Sequence, residues 1–117
     1  MAEPKLFHNP RCSKSRTAKQ LLDERGVEYE TVEYLKAPPD RAELERIVEL
    51  VEDPPAKLVR SGDPAFKELG LSKADYVDAG AVVDLLVEHP ELMERPILLT
   101  DDAAAIGRPT ENIEKLI

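Results

Sequence analysis

The apolar positions change period along the chain, and those changes mark its elements. Leu6-Phe7 within Lys5–His8 reads as a short first strand. Asn9-Pro10 ends it, because proline has no amide donor and asparagine favours turns. Ala18, Leu21 and Leu22 then recur at helical spacing, predicting a helix from Ser13 or Lys14 that stops at Gly26. From Val27 to Tyr34 the chain is rich in Val, Tyr and Thr with glutamates between them, as in a half-buried second strand. Strand, helix and strand of this size predict a right-handed βαβ unit with Cys12 at the strand-to-helix turn.

Pro38-Pro39 closes that unit. Asp40 followed by Glu43 has the spacing of a capping box, and Leu44, Ile47, Val48 and Val51 repeat at i, i+3, i+4 and i+7. Asp53-Pro54-Pro55 ends this amphipathic helix, and a short helical piece is expected over Ala56–Arg60. Asp63-Pro64 supplies a cap with proline at the first helical position. Asp78 caps a longer helix whose Val82, Leu85 and Leu86 face inward, ending at His89-Pro90. Residues 40–92 therefore read as a helical insertion.

Arg95–Thr100 is apolar enough for a central strand, Asp101-Asp102 suits a tight hairpin turn, and Ala104–Ile106 makes a fourth strand. After Gly107-Arg108-Pro109 a last helix carries Ile113, Leu116 and Ile117. The order βαβ, helices, ββα predicts one α/β domain over residues 1–117. Its fold is expected to be thioredoxin-like, with a mixed four-stranded sheet.

Composition narrows the function. The chain has 117 residues and a net charge of −8, with a pI near 4.8. Nonspecific nucleic-acid binding needs a broad basic surface, so that class is set aside. No apolar run approaches membrane-spanning length and no signal-peptide pattern opens the chain, so a cytoplasmic protein is expected. Yet Pro4–Leu22 holds no acid and five cations, Lys5, Arg11, Lys14, Arg16 and Lys19. A compact positive island in an acidic chain suits an anion: a thiolate, a bound oxyanion, or both.

The island contains Cys12, the only cysteine. A lone cysteine is commonly a buried, inert core residue. Here its neighbours Arg11, Ser13 and Lys14 oppose burial, and the start of a helix and nearby cations favour the thiolate. Ser15 is placed to donate its hydroxyl to the sulfur, and His8 to approach from the strand end. Cys-x-x-Ser lacks a resolving cysteine, so an oxidised Cys12 needs an outside thiol for its return. A Cys-x5-Arg phosphate cradle is absent, since that spacing falls on Ala18. His89 is assigned no chemistry, and Tyr29, Tyr34 and Tyr76 read as packing. One cysteine and two histidines show no metal-ligand spacing.

His8-Asn9-Pro10-x-Cys12-x-x-Ser15-Arg16, Tyr34-Leu35-x-x-Pro38-Pro39 and Arg95-Pro96-Ile97 together resemble the glutaredoxin-dependent arsenate reductase family over nearly the whole chain. The resemblance implies a thioredoxin-like fold, Cys12 as catalytic nucleophile, and a cis proline at Pro96. It also implies Arg60, Arg95 and Arg108 as ligands of the arsenate oxyanion, each of which alone would read as a surface charge. It further implies glutathione as co-substrate, glutaredoxin as partner, and neither a bound organic cofactor nor a metal. Two relatives share much of the pattern. Spx-like regulators bind RNA polymerase but usually carry Cys-x-x-Cys and tend to lack a counterpart of Arg108. The other is a reductase-like thiol oxidoreductase acting on a different substrate.

Overall fold

The computed structural model describes residues 3–117. They fall into two compact units: residues 3–37 with 95–117, and residues 38–94.

The first unit is built on a four-stranded sheet of order β2-β1-β3-β4. Strand β1 (Lys5–Phe7) runs parallel to β2 (Glu30–Val32) and antiparallel to β3 (Ile97–Leu99). Strand β4 (Ala104–Ile106) returns antiparallel beside β3 through the predicted turn, where the Thr100 amide donates to the Ala103 carbonyl. The sheet is mixed, as expected, and its architecture is thioredoxin-like. Successive side chains of a strand face opposite ways. Leu6 and Leu98, opposite each other in the ladder, form one buried cluster with Ala18, Leu22 and Ile113. Phe7 and Ile97, on the other face, are also fully buried.

Helix α1 (Ser13–Glu24) supplies Ala18 and Leu22 to that cluster. Gly26, at φ 68°, ends it: the Gly26 amide donates to Asp23 and the Val27 amide to Leu22, so glycine's left-handed backbone satisfies the last carbonyls. This capping explains why β2 is shorter than the expected Val27–Tyr34. Val27 is spent on the helix, while the Lys36 and Ala37 amides turn back onto Glu33. The first strand ends at Phe7, although the His8 amide still reaches the Val32 carbonyl at 2.8 Å. The last helix, called α5 in chain order, is Glu111–Glu114; it buries Ile113 but leaves Ile117 exposed.

In the second unit α2 (Arg41–Leu50) and α4 (Ala79–Glu88) pack together through buried Leu44, Ile47, Val82, Val83 and Leu86. Between them lies the short α3 (Pro64–Glu68). Asp40, Asp63 and Asp78 each cap a helix by accepting a backbone amide, from Glu43, Ala65 and Ala81 respectively. The piece expected over Ala56–Arg60 is a single 3-10 turn, Pro55–Leu58, because Val59 leaves it to form a β-bridge with Met93.

Gly107 closes the end of the β3–β4 ladder, where its amide donates to the Pro96 carbonyl at 2.8 Å. A Cβ at this position would lie 2.6 Å from Ile113 Cδ1 and 2.7 Å from Pro96 Cγ. Gly107→Ala is therefore expected to cost about 1–3 kcal/mol of stability by overpacking, read as a lowered thermal midpoint.

Candidate active site at Cys12

The turn between β1 and α1 is shaped by Asn9. Its carbonyl accepts the Cys12 amide at 3.0 Å, and its side-chain oxygen accepts the Arg11 amide at 3.0 Å. Arg16 Nη1 donates to the Pro10 carbonyl at 2.9 Å and ties the loop down. Cys12 consequently becomes the N-cap residue of α1, with extended backbone at φ −94° and ψ 124°. Its carbonyl accepts the first helical hydrogen bond, from Arg16.

That position explains the sulfur's chemistry. An N-cap side chain faces amides of the first helical turn that have no partner within the helix. Burial by itself pushes the Cys12 pKa up. Against it act the Ser15 amide, the Arg95 side chain, the Lys14 amide and the charge of Arg108, and together they hold the pKa below its ordinary value. Arg108 Nη2 donates to the sulfur at 3.2 Å, while its Nε donates to the Arg95 carbonyl at 2.8 Å. Arg95 is itself partly buried. Desolvation opposes its charge, but the hydrogen-bonding contact with the Cys12 sulfur and the electrostatic influence of Tyr34 prevail, and its pKa is raised. The Arg95-Pro96 peptide is cis, as the resemblance implied, and so is Arg108-Pro109. Cys12 keeps intermediate exposure, so the thiolate is accessible.

A lowered pKa means that half-ionisation is reached at a lower pH. The alkylation rate of Cys12 by iodoacetamide is expected to rise with pH and level off through a midpoint below ~8.5, the value of a free thiol. A midpoint at or above that value contradicts the site as described.

His8 and Ser15 tune this sulfur differently from the sequence expectation. Ser15 Oγ lies 2.6 Å from His8 Nδ1 and accepts the Asn9 amide at 3.0 Å. The serine hydroxyl is thus committed to the strand end, and it is the Ser15 backbone amide that serves the sulfur. His8 is buried at 5% exposure, and its pKa is lowered first by desolvation and then by Lys19. It is a neutral anchor for Ser15 at neutral pH, rather than a cation beside the thiolate. Both side chains hold the loop that presents Cys12.

Of the three arginines, the structure brings Arg95 and Arg108 to the sulfur. Arg60 belongs to the second unit, where Nε lies 3.5 Å from Asp63 Oδ2 and Nη1 lies 3.1 Å from Glu94 Oε1. Residues that the sequence reading left out of the site are Asn9, which shapes the loop, and Tyr34, a fully buried residue that favours the charge on Arg95. The Asn-Pro turn signal pointed to the first; nothing in the local pattern distinguished Tyr34 from a packing residue. Among the described residues no group of three or more His, Cys, Asp or Glu is placed to hold a metal ion. No helix among them is long and apolar enough to cross a membrane.

Known proteins are similar to this chain along almost their whole length. The chain is 48% identical to an arsenate reductase of Neisseria meningitidis over 118 residues, covering all of both chains. It is 40% identical to the uncharacterized protein YfgD of Escherichia coli, covering 97% of this chain and 95% of that one. The solved structure of an arsenate reductase from Vibrio cholerae superposes with a TM-score of 0.83 at 31% identity, with full coverage of both chains. The model of the ArsC family matches residues 7–116, a span that includes every element from the end of β1 to α5. A match that runs through both units and takes in the cysteine turn and the two arginines on the sulfur makes this chain a member of the ArsC family.

Proposed function

We propose that this chain reduces arsenate to arsenite, with Cys12 as nucleophile and glutathione and glutaredoxin as the source of electrons. The observation that carries the reading is the pair of guanidinium groups, Arg95 and Arg108, gathered on one accessible thiol of lowered pKa. The relatives named as arsenate reductases supply the substrate.

Arsenate is a tetrahedral oxyanion, and planar guanidinium forks hold such a group in a defined pose. The Cys12 thiolate attacks arsenic, an S–As bond forms, and an arsenate oxygen leaves as water after protonation. Arg95 and Arg108 face the charge on the remaining oxygens. Glutathione thiolate then attacks the Cys12 sulfur; the S–As bond breaks and its electron pair stays on arsenic. As(V) becomes As(III), and the two thiols become one mixed disulfide. Glutaredoxin takes the glutathione by thiol–disulfide exchange and Cys12 is free again. The serine in Cys-x-x-Ser fits this scheme, because the second thiol comes from outside. Neither an organic cofactor nor a metal is called for, and dependence on glutathione places the protein in the reducing cytoplasm.

The test is arsenate-dependent NADPH consumption coupled through glutathione reductase, glutathione and glutaredoxin. Arsenate-dependent turnover that disappears when glutathione is omitted supports the proposal. Silence toward arsenate with a reactive Cys12 points to a thiol oxidoreductase of another substrate. Capture of RNA polymerase by a silent protein selects the regulatory alternative.

A further inference from the structure

Arg108, an exposed residue, reaches the sulfur from the segment just after β4. Its guanidinium is fixed at the far end, where Nε donates to the Arg95 carbonyl at 2.8 Å and Nη2 to Cys12 Sγ at 3.2 Å. Those bonds last only while the backbone that carries the side chain keeps its place, because a hydrogen bond weakens steeply as its angle closes. On one side the Gly107 amide ties this backbone to the Pro96 carbonyl at 2.8 Å. On the other side β4 is the outermost strand of the sheet. Ile106, opposite Ile97, falls between the hydrogen-bonded pairs of the antiparallel ladder, so its carbonyl points away from β3 toward that open edge.

Asn112, the second residue of α5, occupies the open edge. Its side-chain Nδ2 donates to the Ile106 carbonyl at 3.1 Å and to the Arg108 carbonyl at 3.4 Å. Its backbone amide donates to the Pro109 carbonyl at 3.0 Å. Both side-chain partners are carbonyl oxygens, which only accept, so one group with two donors has to face them, and a carboxamide NH2 is such a group. Both also lie before α5 begins, so the carboxamide serves the segment that carries Arg108 rather than its own helix.

We propose that Asn112 is a positioning residue of the Cys12 site, its carboxamide clamping the backbone of residues 106–108 so that the Arg108 guanidinium stays on the sulfur. None of these contacts involves a substrate, so the role stands whatever the thiolate attacks.

Asn112→Leu tests it, because the branched shape and the neutral charge are kept and both donors are lost. The readout is the pH midpoint of iodoacetamide alkylation, measured well below the melting temperature, with Arg108→Met and the double variant alongside. A purely structural role would lower the melting temperature and leave this midpoint where it is. Arg108→Met is expected to raise the midpoint by about one unit toward that of a free thiol, and Asn112→Leu by about half a unit. In the double variant Asn112→Leu is expected to add nothing to the rise that Arg108→Met causes alone, since no guanidinium is left to place. An unchanged midpoint in Asn112→Leu beside a raised one in Arg108→Met overturns the proposal and leaves the arginine contact standing. Additive shifts in the double variant overturn it as well. If neither single variant moves the midpoint, the Arg108 contact falls and the proposal with it. Should Asn112→Leu fail to fold, Asn112→Ala takes its place and is judged by the same outcomes.

Discussion

Cys12→Ser is expected to lower arsenate turnover by at least ~10³-fold while the fold survives. The site predicts both halves of that result. Serine is among the best N-cap residues, and Cys12 already has the extended backbone of an N-cap, so α1 keeps its start and the thermal midpoint does not fall. Burial apart, every feature that acts on the sulfur favours a negative charge: the Ser15 amide, the Arg95 side chain, the Lys14 amide and the Arg108 charge. A serine hydroxyl at this position stays protonated at neutral pH, so these groups have no anion to stabilise and no nucleophile forms. Nor can serine form the mixed disulfide through which an outside thiol completes the cycle. The coupled NADPH assay on the purified variant, with its melting curve, is the measurement. A residual rate of a few per cent of wild type would remove Cys12 as the nucleophile.

Arg95→Lys is expected to lower kcat/KM for arsenate by ~10²–10³-fold despite the conserved charge, the loss typical of removing one donor to a developing oxyanion. The guanidinium bears on the Cys12 sulfur, and its Nε is sealed from solvent. An ammonium group is a compact point charge without the planar fork, so it cannot serve the sulfur and an oxyanion from one place. The carbonyl that receives Arg108 Nε belongs to the backbone and survives the substitution, so Arg108 should remain near the sulfur and some thiolate stabilisation should persist. The signature is therefore a raised alkylation midpoint and a large kinetic defect in a folded protein. Arg108→Lys serves as the comparison. Near-wild-type kinetics for Arg95→Lys would show that its fork takes no part in the reaction.

Local signals were enough wherever a residue acts on its immediate neighbours. Asp40, Asp63 and Asp78 cap the helices they precede, Gly26 ends α1, and Asp101-Asp102 lies in the β3–β4 hairpin connection. The place of Cys12 at a helix start was legible because its setting, a strand end, a turn and a helix start, is written in consecutive residues. The strands were harder. β2 and β3 are each three residues long, since strand length depends on how far a neighbour can pair, and neighbours come from distant parts of the chain. The Ser15 hydroxyl, expected at the sulfur, meets His8 and the Asn9 amide instead. His8, seven residues away, accounts for that, a separation at which the pattern gives no contact.

By itself the sequence determined the elements, their order, and a cysteine at the mouth of a helix in an acid-free cationic stretch, because backbone propensity, capping and charge act over a few residues. Tertiary structure decided which groups reach the sulfur. Arg108 meets Cys12 across 96 positions, and Arg95 arrives at the head of β3. Pairing β1 with both β2 and β3 draws those segments to one end of a single sheet. Only there do charges that look like ordinary surface residues along the chain become the environment of one thiolate.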